Sequence, residues 1–244
     1  MTYCVNLKLK DLEYNLSKIK KVILLNQKKA LEKTVSFWKN FYKNSNPKDT
    51  NPTPFALWCL EHYITKDDSI FEIGCGDGRD SFAFINNKNQ FFGIDGCNIA
   101  IEKNKLYLKN LSFSQNYFET VDFNKIESLN NIENFNIFYS RFVLHAIPEV
   151  LEDKILRFIH KNLPVGGKML HEFRTNHDRL MQKGESLSEN ERLTDHYRRF
   201  INAQKMRKKL IKIGFNELYF IESDDLAIYG EENPVVARIV SEKK

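Results

Sequence analysis

The 244-residue sequence predicts an α/β fold with a doubly wound, seven-stranded sheet that is mostly parallel and closed by an antiparallel last strand. Two observations predict this fold. From residue 55 onward, short apolar runs alternate with segments of helical periodicity, which is typical of parallel strands covered by helices on both faces. In addition, a glycine-rich turn directly follows the first apolar run, and sheets of this class bind ligands at such turns.

Residues 1–50 are predicted to be a helical extension, followed by a domain over residues 51–244. The proline- and asparagine-rich tract NSNPKDTNPTP (44–54) separates the two. Within the extension, an apolar stripe at alternating spacings of four and three is formed by Val5, Leu9, Leu12, Leu16, Ile19 and Ile23. The stripe fits two arrangements, a helix packed on its own domain or the seam of a homodimer, and the sequence leaves both open.

The first half of the domain alternates helices and strands. The segments, in order, are helix FALWCLEHYI (55–64), strand SIFEIG (69–74), helix RDSFAFINN (79–87), strand QFFGID (90–95), helix AIEKNKLYLKN (100–110), and LSFSQNYF (111–118), which contains a third strand. Each strand is a short apolar run that ends in glycine or a polar residue, so we expect it to be buried in the sheet.

The second half continues the alternation and then changes character. A fourth strand NFNIFYSR (134–141) precedes a helix over 148–163, and a PVGG turn leads into a fifth strand, KMLHEF (168–173). Residues 174–202 are polar and charged, and we expect them to lie over the substrate side. A helix over 203–215, stopped by Gly214, leads to a closing pair of strands, ELYFIES (217–223) and PVVARIVSE (234–242).

Composition and charge exclude several classes of protein. No apolar run approaches the roughly 18–20 residues that span a bilayer, and the start lacks the pattern of a secretion signal, so a cytoplasmic protein is expected. The four cysteines have neither zinc-like spacing nor a disulfide framework, and no metal site is predicted. The net charge of +5 arises from eleven lysines in residues 1–50, and the remainder is slightly acidic, which argues against a nucleic-acid partner.

The turn EIGCGDGRD (72–80) suits a nucleoside without a pyrophosphate. A dinucleotide fingerprint needs a third glycine where Arg79 stands, and a P-loop needs a Lys-Ser/Thr pair that is missing. The second strand ends in Asp95, where a carboxylate can accept both hydroxyls of a ribose. Glu72 adds negative charge beside a ligand that carries a positive one.

These segments resemble the class I S-adenosylmethionine-dependent methyltransferases over residues 55–240. EIGCGDGRD is similar to the first motif of that family, GIDG (93–96) to the second and VDF (121–123) to the third, while NIFYSRFVLHAI (136–147) and LPVGGKMLHEF (163–173) resemble its strand-four and strand-five motifs. The resemblance implies a Rossmann-like sheet, S-adenosyl-L-methionine as cofactor, and methyl transfer as the activity.

The resemblance also implies which residues hold the cofactor. Gly74, Gly76 and Gly78 would line its methionine part, Asp95 its ribose, and Asp122 with Phe123 its adenine. As an alternative, Asp122 caps a helix. The remaining expected cofactor residues are Glu72, Cys75, Asp77, Gly96 and Ser140.

The acceptor must be inferred from residues outside these motifs. His145 is the expected general base for a hydroxyl acceptor, although an acceptor oxygen that is already ionised needs only arginine clamps. Arg141 and Arg174 are expected beside it, and Glu172 is expected either to orient a neighbour or to pair with Arg174. The expected substrate-binding residues are Tyr42, His171, His177, Tyr197, Arg198 and Arg199.

Several arginines with histidines near one mouth favour a small anionic acceptor, phosphorylated or sugar-derived, methylated on oxygen. The ends of the chain are loosely similar to methyltransferases of bacterial capsule and surface-polysaccharide modification, some of which act on sugars or phosphoramidate groups. Two alternatives stay open, a methyltransferase acting on protein or nucleic acid and a non-catalytic scaffold that binds the cofactor. The Asn/Asp-Pro-Pro-aromatic motif of amino-methylating enzymes is missing from strand four.

Overall fold

The computed structural model describes residues 28–45, 51–111, 117–130, 132–228, 230 and 232–244. The apolar stripe over residues 5–23, and with it the choice between a packed helix and a homodimer seam, lies outside these residues. Within them, six α-helices surround a seven-stranded sheet, and a small three-stranded sheet is inserted between the fifth large strand and the last helix.

The main sheet has the predicted architecture. Its strands, in chain order and skipping the insert, are β1 Ser69–Ile73, β2 Gln90–Asp95, β3 Phe118–Thr120, β4 Ile137–Arg141, β5 Lys168–Arg174, β9 Phe215–Ser223 and β10 Val236–Lys243. They lie in the order β3-β2-β1-β4-β5-β10-β9, and β10 is antiparallel to both its neighbours. The prediction of a mostly parallel sheet with an antiparallel last strand is therefore confirmed.

Two layers of helices cover the sheet. The helices are α1 (28–44), α2 Pro54–His62, α3 Ser81–Asn86, α4 Asn98–Asn110, α5 Glu149–Asn162 and α6 Ala203–Ile213. One apolar core contains side chains of α5 and α6, and a second contains side chains of α2, α3 and α4. Because β1 lies between the two cores, all five of its residues are buried.

Local signals explain where individual helices begin and end. The Thr53 side chain accepts a hydrogen bond from the Ala56 N–H at 3.2 Å, and Pro54 starts α2 with its backbone angle preset. The Asn202 side chain caps α6 in the same way. Gly214 ends α6 with a φ of 121°, a conformation that favours glycine.

The insert between β5 and α6 is more ordered than its polar composition predicts. It contains a short 3-10 helix, Arg179–Gln182, and the strands β6 Glu185–Ser186, β7 Glu191–Leu193 and β8 Tyr197–Arg199, which form an antiparallel sheet. The Tyr197 hydroxyl donates to the Glu191 carboxylate at 2.5 Å inside it. Across the described ranges, no helix is long and apolar enough to cross a membrane.

Candidate active site

The glycine turn connects β1 to α3 at the carboxyl edge of the sheet. Gly74, Gly76 and Gly78 have φ values of 75°, 52° and 80°, in the left-handed region that favours glycine. A Cβ atom on Gly74 would lie 2.1 Å from the Val143 Cγ2 atom. The turn therefore needs small residues for both its conformation and its packing.

Asp95, at the end of β2, is tied directly to this turn. Its carboxylate oxygens accept hydrogen bonds from the N–H groups of Gly76 at 2.9 Å and Cys97 at 2.7 Å. Burial raises the pKa of the Asp95 carboxyl, and the two backbone donors act in the opposite direction. The carboxylate thus lies beside the glycine backbone, where the sequence predicts a ribose.

Further carboxyl groups surround the turn. Glu72 is buried and accepts a hydrogen bond from the Ser81 hydroxyl at 2.5 Å, and burial followed by repulsion from Asp80 raises its pKa well above the usual range. Asp80 has a structural role, because it accepts from the backbone N–H and hydroxyl of Thr53 and from the Tyr139 hydroxyl. Since the raised pKa favours the neutral form of Glu72, both acids act in holding the turn to the surrounding elements.

The end of α1 lies across the turn. The Tyr42 hydroxyl would be 2.6 Å from a Cβ atom placed on Gly76, and burial followed by the charges of Asp95 and Asp77 raises the Tyr42 pKa well above its ordinary value. Tyr42 was expected on the substrate side, but the structure places it against the cofactor turn. Sequence reasoning missed Asn104, whose Nδ2 donates to the Gly76 carbonyl at 2.8 Å.

The predicted adenine side lies beside Asp95. The Val121 N–H donates to the Asp95 carbonyl at 2.9 Å, which brings the segment after β3 next to the ribose position. Asp122 caps the 3-10 helix Phe123–Ser128, accepting from the Asn124 N–H at 2.9 Å, and this bond lowers its pKa. The alternative that Asp122 caps a helix is therefore confirmed. Contacts of adenine with Asp122, Phe123 and the exposed Gly96 stay a prediction.

The turn after β4 brings an aromatic ring between two arginines. Phe142 has a φ of 59°, which costs a residue with a side chain about 1–3 kcal/mol. The guanidinium of Arg141 lies 4.1 Å from the ring centroid and that of Arg174 lies 5.5 Å from it. His145 contacts the same ring edge-on at 5.0 Å. Three of the expected catalytic residues are thereby assembled around Phe142.

Glu172 does not pair with Arg174, so that expectation is wrong. Its carboxylate is buried and accepts from the Nε atoms of Arg141 at 2.9 Å and Arg238 at 2.8 Å. Arg238 belongs to β10, whose register sets it opposite Glu172 on β5. Arg174 binds Asp178 at 2.9 Å and Glu232 at 2.6 Å instead.

His145 is placed as a donor and not as a base. Its Nδ1 atom accepts a hydrogen bond from the Arg174 backbone N–H at 3.2 Å, which assigns the proton of the neutral ring to Nε2. Burial, and then the positive charges of Arg174 and Arg198, hold the His145 pKa well below its usual range. A neutral ring with its basic nitrogen already occupied is poorly suited to remove a proton, which argues against the expected general base.

The other expected residues have partners within the protein. Ser140 and His171 are buried and share a hydrogen bond of 2.6 Å, and burial lowers the His171 pKa to about 3. His177 lies at the surface and binds Glu222 at 2.8 Å. Arg198 binds Thr194 and Asp195.

Arg199 supports the turn that carries His145. It donates to the carbonyl oxygens of Leu144 at 3.0 Å and Ile147 at 3.2 Å, and it pairs with the buried Glu152. Its observed contacts are with the protein, so we assign it to holding this turn in place. Its polar sequence context, RRF at 198–200, does not distinguish that role from ligand binding.

Comparison with known proteins agrees with this geometry. Residues 64–220 match the family model described as a methyltransferase domain. A SAM-dependent methyltransferase from Methanosarcina mazei is 18% identical, with a TM-score of 0.60 over 75% of this chain and 95% of that one. A SAM-dependent methyltransferase from Clostridium acetobutylicum is 12% identical, with a TM-score of 0.59 over 84% and 96%.

A third solved structure, a glycopeptide N-methyltransferase complexed with S-adenosyl-L-methionine, is 11% identical, with a TM-score of 0.60 over 80% of this chain and 96% of that one. No curated protein matches the sequence. At these identities the solved structures show the fold, and the family model, which spans more than half of the chain, shows the family. The residues also fit a nucleoside, because the Asp95 carboxylate accepts from the backbone of the glycine turn at the carboxyl edge of the sheet, where sheets of this class bind ligands. The chain belongs to the methyltransferase domain family, and its cofactor is S-adenosyl-L-methionine.

Proposed function

We propose that this enzyme transfers a methyl group to an oxygen atom of a small anionic acceptor, phosphorylated or sugar-derived. The observation that carries the proposal is the placement of Arg141 and His145 on the Phe142 ring, at the turn after β4. Arg174 and Arg198 are paired with carboxylates, whereas Arg141 is bonded to Glu172 through its Nε atom. A guanidinium beside a neutral imidazole donor favours an acceptor that brings negative charge of its own.

Arg141 is the group best placed to bind that charge. Its Nε atom is fixed by Glu172 at 2.9 Å, and its terminal nitrogens bond no residue that the structure describes. The side chain is 18% exposed, so one end is held and the other is accessible. A guanidinium held in this way presents two parallel N–H groups, which match a phosphate or carboxylate.

His145 adds a neutral donor beside Arg141. With Nδ1 occupied by the Arg174 N–H, the neutral ring can donate only through Nε2–H, and this is the bond that we assign to an acceptor oxygen. An ionised oxygen needs no base before it is methylated, so donors that orient it are sufficient. The donor arrangement therefore supports an acidic acceptor over a neutral hydroxyl.

When bound, S-adenosylmethionine supplies a methyl group on a positively charged sulfur. The residues of this chain then have to align the acceptor oxygen with that methyl group and exclude water. Fixed alignment of two reactants is worth roughly 7–11 kcal/mol of barrier. In this proposal Asp95 and the glycine turn hold the cofactor, while Arg141, Phe142 and His145 orient the acceptor.

The finer assignment within this class is a sugar phosphate or phosphoramidate of a bacterial surface polysaccharide, methylated in the cytoplasm. It rests on the expectation from the sequence that both ends of the chain resemble enzymes of that kind, and on the anion-binding role proposed for Arg141. The slightly acidic charge of the domain supports a small molecule in preference to nucleic acid.

The proposal is tested by incubating the protein with radiolabelled S-adenosylmethionine and panels of sugar phosphates, nucleotide sugars and their uncharged counterparts. We expect label in the anionic members and none in the uncharged ones, and NMR of the product made with a ¹³C-methyl cofactor should identify an O-methyl group and not an N-methyl group. Transfer to uncharged sugars alone would overturn the acceptor class. Tight cofactor binding without transfer to any panel, including protein and nucleic acid, would favour the non-catalytic scaffold.

A further inference from the structure

A single lysine fastens the end of α1 over the cofactor turn. The Lys103 Nζ atom, on α4, donates to the carbonyl oxygens of Tyr42 at 2.6 Å, Lys43 at 2.9 Å and Ser45 at 2.6 Å. The side chain thus uses all three of its ammonium donors on one short stretch of backbone. Lys103 and Tyr42 are 61 residues apart in sequence, so the contact joins two distant elements, α4 and α1.

The chemistry of helix ends explains why this contact is strong. The last carbonyl groups of a helix lack partners within the helix and form the negative end of its dipole. An ammonium group at this position satisfies them and also gains from the dipole. Lys103 is therefore a C-terminal cap supplied by another element of the fold.

The cap determines where Tyr42 lies. The tyrosine is on the capped turn, and its hydroxyl lies against Gly76 in the centre of the cofactor motif. The Ser45 hydroxyl donates to the Tyr42 carbonyl at 3.2 Å, and the same side chain lowers the pKa of the Asp77 carboxyl of this motif, against the larger effect of burial, which raises it. The end of α1 is thereby tied to the glycine turn as well as to α4.

The cap also fixes an aromatic group that connects α1 to the insert. Trp38 stacks on Tyr42 at a centroid distance of 5.6 Å and contacts His196 at 4.9 Å. Earlier on α1, the Thr34 hydroxyl accepts from the Tyr197 N–H at 2.8 Å. The helix is therefore held against the insert along its length, whereas its end is held by Lys103.

We propose that Lys103 is a positioning residue of the cofactor site, which retains S-adenosylmethionine by capping α1 with Tyr42 across the glycine turn. The cofactor leaves when the cap opens. The inference rests on the cofactor side of the proposed function and is independent of which acceptor is methylated. It assigns to α4 a role that no motif of the sequence indicates.

The experiment uses the Trp58→Phe protein, in which Trp38 is the only remaining tryptophan, because the chain contains two. Into it we introduce Lys103→Met, Lys103→Arg, or the control Lys105→Met. Lys105 lies on the same helix and, among the residues that the structure describes, pairs with Glu102 at 3.4 Å in an exposed position. Acrylamide quenching of Trp38 without ligand measures how accessible α1 is to solvent. Calorimetry measures the affinity for S-adenosylhomocysteine, and stopped-flow displacement measures its dissociation rate.

For Lys103→Met we expect stronger quenching of Trp38 and an affinity for S-adenosylhomocysteine weaker by about tenfold, mostly through faster dissociation. Lys103→Arg should recover most of both effects, and Lys105→Met should resemble the parent. Unchanged quenching in Lys103→Met would overturn the capping role. Increased quenching with unchanged affinity would overturn the link between the cap and the cofactor. Neither readout requires methyl transfer, so a wrong acceptor assignment leaves this test intact.

Discussion

The Tyr42 hydroxyl lies against Gly76 so closely that a Cβ atom on the glycine would be 2.6 Å from it. A residue from the helix that precedes the domain therefore contacts the centre of the cofactor motif. The end of α1 therefore lies at the cofactor motif, although the sequence predicts residues 1–50 to be a separate helical extension. The first prediction follows from this contact.

Gly76→Ala should abolish measurable binding of S-adenosylhomocysteine, because the new methyl group meets Tyr42 and the φ of 52° is strained for alanine. Gly166→Ala is the matched control. Gly166 has a φ of 79° but no atom within 4 Å of its added Cβ. Gly166→Ala should lose about 1–2 kcal/mol of stability from its φ alone, and Gly76→Ala should lose more because of the Tyr42 contact, measured by urea unfolding, whereas only Gly76→Ala should lose the ligand. Equal affinities for S-adenosylhomocysteine in the two variants would contradict the placement of Gly76 in the cofactor site.

Arg141→Lys should lower kcat/KM for the anionic acceptor by about 10- to 100-fold, because lysine cannot present two parallel donors. The affinity for S-adenosylhomocysteine should stay unchanged, since the substitution is on the acceptor side. Arg157→Lys, on the exposed face of α5, is the control. Steady-state kinetics with the acceptor found by the screen and calorimetry separate the two effects. A loss confined to cofactor affinity would contradict the assignment.

His145→Gln should keep much of the activity, whereas His145→Leu should lose about 100-fold or more, because glutamine retains an N–H donor and leucine does not. The lowered His145 pKa means that the ring does not titrate between pH 6 and 8. The pH–rate profiles of the wild type and His145→Gln should therefore be parallel in this range. A glutamine variant as inactive as the leucine variant, with an acid limb near pH 6.5 in the wild type, would restore the general base.

His171 should make the protein sensitive to acid. Its pKa is about 3 in the folded state and about 6.5 in the unfolded chain, so the ring is neutral in both states above pH 6.5. Below that pH the unfolded chain binds a proton that the folded chain does not, and stability falls until about pH 3. At pH 5 the loss amounts to about 2 kcal/mol.

Urea unfolding at pH 7.5 and pH 5 measures this difference. His171→Gln should reduce the drop between the two pH values by about that amount. An identical pH dependence in wild type and His171→Gln would show that the buried ring does not resist protonation.

The sheet could be predicted from the sequence because its central strands are buried on both faces. The run SIFEI of β1 is buried at every position, so its apolar character is continuous and easily recognised. The predicted boundaries of helices and strands are less accurate than their presence and order. The fourth strand begins at Ile137 and not at residue 134, because Asn134 and Asn136 make the side-chain and carbonyl contacts with Ser69 that start the pairing.

The insert and the group of side chains around Phe142 depend on contacts between residues distant in sequence, which local patterns do not encode. The strands β6 to β8 have two or three residues each, too few to show an alternating pattern. The partner of Glu172 was predicted from its neighbour in sequence, whereas the register of β10 supplies Arg238. The tautomer of His145 depends on one backbone N–H, that of Arg174.

The central claim is that Asp95, beside the glycine turn, holds the ribose of S-adenosylmethionine. Isothermal titration calorimetry of S-adenosylhomocysteine with the wild type and Asp95→Ala tests it most directly, after urea unfolding has established that the variant is folded. The account predicts an affinity weaker by about 100-fold in the variant, because two hydrogen bonds to a charged group are lost. Equal affinity in the two proteins would contradict it.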